Sequence, residues 1–166
     1  GGADYRLRAL EKVGTYHFPL DAAAGAHLDS AYLRLAGESG KGVAVLGIEG
    51  RRIMARHLAP GVAWFNFDEL CGGPRGQADY IEIARRFHTV LVSGIPRLDE
   101  DRAAEALRLT WLVDEFYDRR VKLIVSAEVA PQELYHGGRN AAEFARAASR
   151  LVEMQTRQYL AQPHLP

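Results

Sequence analysis

The apolar positions change period along the chain, and each change predicts a different element. Asp4-Tyr5-Arg6-Leu7-Arg8-Ala9-Leu10 alternates polar and apolar residues, with large side chains at Tyr5 and Leu7, and reads as a strand. A lone strand at a chain end needs a sheet to join. Residues 1–10 therefore read as a seam with another domain, and residues 1–8 are expected to fray or to pair between molecules. Residues 21–36 carry a helical repeat, with Leu28, Tyr32 and Leu35 on one stripe, Asp21 placed as N-cap and Gly37 as terminator.

Between 42 and 67 the apolar residues fall into three short runs: Val43, Val45 and Ile48; Ile53 and Met54; then Val62, Trp64, Phe65 and Phe67. Glu49-Gly50 and Pro60-Gly61 separate them, which predicts a small antiparallel meander. From 77 onward the rhythm is α/β: a helix at about 77–87, a strand over 88–93, a helix at about 99–118, a strand over 121–126 and a helix at about 140–160. Strand, helix, strand is a βαβ unit, whose crossover is right-handed and whose strands are parallel. Both strands are almost wholly apolar, as they must be when helices cover both faces. The fold class is thus α/β, an antiparallel meander followed by a βαβ unit with flanking helices. It divides into residues 1–10, 11–70 and 71–166.

Composition narrows the function classes. The chain has 166 residues, 48% hydrophobic and 25% charged, enough for one well-packed domain. Lys plus Arg and Asp plus Glu both number 21, so no global basic field recruits nucleic acid or an anionic membrane. No apolar run approaches the roughly 20 residues of a membrane span, and Gly1-Gly2-Ala3-Asp4-Tyr5-Arg6 lacks the apolar core of a signal peptide, so a cytoplasmic location is expected. The single cysteine, Cys71, rules out an intrachain disulfide framework. The six histidines show no HxxxH or HxH spacing, so no metal site is expected.

Several short motifs imitate catalytic ones. Leu112-Val113-Asp114-Glu115 looks like the acidic strand end that holds Mg²⁺ in a P-loop ATPase. Ala106, Leu109, Val113 and Phe116, however, form a helical stripe, and Glu115 and Arg119 are spaced for an i, i+4 ion pair. Gly72-Gly73-Pro74-Arg75-Gly76 precedes a helix and could cradle a phosphate, but Asp79 near the helix start opposes an anion, and Gly40-Lys41 is followed by Gly42 rather than Ser or Thr. Cys71 reads as a buried, inert thiol. Ser93, Ser126 and Glu128 fall at the carboxyl ends of the two parallel strands, the edge where α/β sheets bind ligands, although Glu128 equally suits a turn cap. On the last helix Phe144, Ala148, Leu151 and Met154 form the buried stripe. Arg146, Arg150, Glu153 and Arg157 line the other side, where Arg146 and Arg150 suit an acidic surface or a phosphate.

Longer blocks carry a resemblance. Phe67-Asp68-Glu69-Leu70-Cys71-Gly72, Asp79-Tyr80-Ile81, Arg86-Phe87-His88-Thr89-Val90, the stretch from Leu112 to Asp118 and that from Val121 to Glu128 resemble the C-terminal part of the ZapE/AFG-like family of AAA+ P-loop ATPases. Glu133-Leu134-Tyr135 and Ser149-Arg150-Leu151 extend the likeness. Asp4-Tyr5-Arg6 resembles the segment where that family leaves its ATPase core, and residues 21–60 match only loosely. The family's last helix tends to read FEFQRTLSRL; here Glu143, Phe144, Arg146, Ser149, Arg150 and Leu151 carry over, while alanine replaces the Gln and Thr.

The resemblance implies ATP and Mg²⁺ as cofactors of the whole protein and none for this chain, because the family's nucleotide motifs lie upstream of the Asp-Tyr-Arg segment. It implies roles in cell division or protein quality control. Expected partners are the protein's own N-terminal ATPase core, a second copy, or a protein of the division machinery. This chain reads as an accessory module with no catalytic residue of its own, in which Asp4, Tyr5, Arg6, Arg146 and Arg150 are interface or nucleotide-proximal candidates. The alternatives are a free-standing binding module that has lost ATPase function and a small-molecule enzyme using Cys71 or Glu128.

Overall fold

A computed structural model describes residues 2–37 and 44–166. The Gly40-Lys41-Gly42 sequence and Val43 lie outside the described residues. The first element is a helix, α1 (Gly2–Val13), where the alternation predicts a strand. Leu7, Leu10 and Val13 recur at three-residue spacing; Leu10 is buried and the other two pack against the core. Arg, Leu, Ala, Glu and Lys are good helix formers, and Asp4 and Lys12 complement the helix dipole. Tyr5, half of the supposed alternation, is exposed. With a helix in its place, the expected strand pairing at residues 1–8 falls away.

After Gly14 the chain enters a two-residue strand, β1 (Tyr16–His17), then α2 (Ala22–Ala36). Asp21 caps α2 by accepting the Ala24 N–H at 2.8 Å, and Gly37 closes it in the left-handed conformation at φ 79°. The predicted meander is split in two. β2 (Ala44–Ile48) and β3 (Arg51–Ala55) form a separate hairpin, whereas β4 (His57–Ala59) and β5 (Val62–Asn66) join the main sheet. Alternation identifies hairpins but does not say which sheet a hairpin joins.

β5 leads through α3 (Phe67–Cys71) and α4 (Gln77–Arg86) to β6 (Thr89–Ile95), and thence through α5 (Ala103–Asp118) to β7 (Lys122–Ala127). The five-stranded sheet has the order β1-β7-β6-β5-β4, parallel except for β4 at one edge. Strands from both sides of residue 70 therefore share one sheet. The predicted last helix breaks at Thr156, whose hydroxyl caps the Tyr159 N–H, giving α6 (Ala141–Glu153) and α7 (Arg157–Leu160).

Winding explains the layers. The path from β1 through α2 crosses the sheet toward β5, and β5-β6-β7 then returns the other way, so right-handed crossovers place α2 on one face and α4 and α5 on the other. On the α2 face the rings of Tyr32 and Trp64 meet at 5.6 Å, tilted by 40°. Alternation turns Phe65, Val90 and Val92 to the opposite face, beside which α4, α5 and α6 pack in a row. Both faces are buried, which accounts for the unbroken apolar runs in β5, β6 and β7.

Candidate functional site

The carboxyl edge of the parallel strands is closed by its own hydrogen bonds. Ser93 Oγ accepts from Trp64 Nε1 at 2.7 Å and from Arg56 Nη1 at 3.1 Å, with the Arg56 guanidinium lying over the indole. Ser126 Oγ accepts the Gly94 N–H at 2.9 Å, where β6 bulges through a left-handed glycine at φ 80°. Glu128 accepts the Arg97 N–H at 2.8 Å, tying the ends of β6 and β7 together. Each of the three predicted strand-end residues thus holds a neighbouring segment. At the edge beside β1, a cleft of about 170 Å³ includes His17 and His27, whose rings lie 4.4 Å apart.

Arg146 and Arg150 face α5. Arg150 Nη1 lies 2.6 Å from Asp114 Oδ1, Arg146 Nη2 lies 3.6 Å from Asp114 Oδ2, and the Arg150 guanidinium covers the Tyr117 ring. Asp114 therefore sits on a helix between two arginines, and Glu115 pairs with Arg119 at 3.5 Å as its spacing predicts. Before α4, the Gly76 N–H and Arg51 both donate to Asp79, so this helix start carries its own buried carboxylate. Cys71 is fully buried and receives a hydrogen bond from Tyr80; burial pushes its thiol up to about 12, far from thiolate chemistry.

The N-terminal candidates separate. Asp4 and Tyr5 are exposed on α1, while Arg6 turns into a cavity of about 380 Å³ at the amino ends of β6 and β7. The same cavity is lined by His88, which precedes β6, by Lys122, which opens β7, and by the segment from Leu160 to His164. Tail contacts fix its wall: Lys122 Nζ donates to the Gln162 carbonyl at 2.7 Å, His164 Nε2 donates to the Ala84 carbonyl at 2.6 Å, and the Leu165 N–H donates to the Arg119 carbonyl. Lys122 also donates to the Arg120 carbonyl and lies over the Tyr159 ring, and the residue is only 7% exposed. Burial, then the charges of Arg120 and Arg6, lower its ammonium to about 8. Burial, followed by Arg6, His164 and Lys122, lowers His88 to about 4. Sequence reasoning found Arg6 but missed Lys122, His88 and His164. The available signal was Lys122, a lone cation beginning the apolar run Leu123-Ile124-Val125.

No helix among the described residues is long and apolar enough to cross a membrane. The chain is 41% identical to cell division protein ZapE of Escherichia coli K12 over 164 residues, covering 99% of this chain and 44% of that protein. It is 28% identical to lactation elevated protein 1 homolog B of Danio rerio, covering 95% of this chain and 38% of that one. An uncharacterised Schizosaccharomyces pombe protein is 42% identical over 86 residues, covering 52% of this chain and 19% of its own. The chain thus spans less than half the length of these relatives, and no solved structure matches it. The AFG1-like ATPase family model matches residues 1–163, nearly every residue of the chain, including the blocks around Asp114 and Glu128, and the chain belongs to that family.

Proposed function

We propose that this chain serves as an accessory α/β module of an AFG1-like ATPase, packing on the nucleotide-hydrolysing part of that protein and supporting its assembly or its grip on a partner. The observation that carries this reading is that the family match runs through residues 1–163 while the sequence contains no GxxxxGK[ST] loop. Asp114, the acid most like a magnesium holder, supports it further, since it is engaged by Arg146 and Arg150 on a helix surface.

In this reading ATP and Mg²⁺ act in the whole protein, outside this chain. The bacterial relative's name supports cell division as the process; the partner to test is a cytoplasmic protein of the division machinery, with a second copy as the alternative. The test is binding and hydrolysis of ATP by the chain with Mg²⁺. The expected result is neither binding nor turnover above a mock purification. Turnover that disappears in Asp114→Asn or Glu128→Gln would overturn the proposal.

A further inference from the structure

The cavity at the amino ends of β6 and β7 has an unbalanced electrostatic make-up. Arg6, His88, Lys122 and His164 come to it from four separate parts of the fold, and among the described residues its lining includes no carboxylate. Lys122 is more than nine-tenths buried, yet among the described residues its ammonium meets only two backbone carbonyls and an aromatic face. Carbonyl oxygens solvate an ammonium without cancelling its charge, and a buried cation lacking a counter-charge is costly. Arg6 likewise has no ion pair among the described residues. A bound anion would supply what both cations lack.

Shape and donor chemistry narrow the ligand. About 380 Å³ exceeds what a bare inorganic anion fills and falls within the range of small-molecule sites. Leu7, Leu160 and Pro163 add apolar wall beside the charged groups, fitting a ligand with an apolar body. Guanidinium and ammonium donors arriving from different elements suit a tetrahedral oxyanion better than a planar carboxylate held from one side. We infer that this cavity is a binding site for a small organic phosphate, with Arg6 and Lys122 on the phosphoryl group and Leu7, Leu160 and Pro163 around the organic part.

Calorimetric titration in phosphate-free buffer at low ionic strength tests this, with phenyl phosphate, inorganic phosphate and benzoate as probes. Phenyl phosphate is expected to bind saturably, inorganic phosphate more weakly, and benzoate at least about tenfold more weakly than phenyl phosphate. Arg6→Gln, a change on a partly exposed helix face, is expected to weaken phenyl phosphate about tenfold, as loss of one charge-assisted contact implies. Amide shift changes on titration should cluster around His88, Lys122 and residues 160–164. Lys122→Met should abolish binding; because it alters a buried site, Arg6→Gln carries the argument if that variant fails to fold. No saturable binding of phenyl phosphate, equal binding of benzoate, or undiminished binding to Arg6→Gln would each overturn the assignment.

Discussion

Replacing Asp114 with Asn tests whether the α5–α6 clasp is a structural ion-pair network. The substitution keeps size and hydrogen-bonding capacity but removes the charge that Arg150 meets at 2.6 Å and Arg146 at 3.6 Å. The three side chains are 26%, 27% and 56% exposed, so solvent screens the pairs and the surface scale applies. On that scale the Arg150 pair contributes about 0.5–1 kcal/mol and the more exposed Arg146 pair a few tenths, so the variant should lose about 1 kcal/mol. That corresponds to roughly 0.5 M in the urea midpoint and about 3 °C in Tm for a domain of this size. A double-mutant cycle with Arg150→Gln isolates the pair, and its coupling should be about 0.5–1 kcal/mol and shrink as salt is raised. A coupling below about 0.3 kcal/mol would refute the clasp. So would an Asp114→Asn protein of unchanged stability that has lost a Mg²⁺-dependent thermal shift, since it would make Asp114 a metal holder.

Three further outcomes follow from particular contacts. Gly61 lies at φ 76°, and a Cβ there would fall 2.5 Å from His88 Nε2, so Gly61→Ala should lower Tm by several degrees, about 1–3 kcal/mol; an unchanged melting curve would contradict the observed packing. His88 titrates near 6.5 when unfolded and near 4 when folded, so below pH 6.5 the unfolded chain binds the extra proton. Stability should therefore fall as pH drops from 6.5 to about 4, by about 1–2 kcal/mol given partial exposure, and His88→Gln should remove that part of the slope in urea melts at stepped pH. Cys71, with its thiol raised to about 12, should resist a thiol reagent at pH 8 in the native protein and react fully in denaturant; rapid native labelling would mean the thiol is accessible.

Where one local rule acted alone, the sequence was readable. Asp21 caps α2, Gly37 ends it, and Glu115 pairs with Arg119 because each depends on neighbours within four residues. The parallel strands were legible because burial on both faces demands unbroken apolar runs. α1 was misread because Tyr5, Leu7 and Ala9 alternate while Leu7, Leu10 and Val13 also recur at helical spacing, and tertiary packing of Leu10 decides between them. β1 is two residues long and carries no period. The charged cavity was the least legible feature, since Arg6 and His164 lie at opposite ends of the sequence and meet only because α1 and the segment after α7 close over the ends of β6 and β7.

The placement of β1 beside β7 also sets an order of events during synthesis. Tyr16 lies near the start, yet its strand partner is Val125, and its phenol donates to the Val129 carbonyl, 113 residues further on. That edge therefore waits for residues made more than a hundred positions later. While the ribosome produces the intervening residues β1 lacks its strand partner, the delay that non-local pairing imposes on folding. The β5-β6-β7 run, by contrast, pairs each strand with the one just made and can assemble as it emerges. Completion of β7 is thus the moment at which β1 is captured, so an interruption in translation before Val125 would leave β1 without its strand partner.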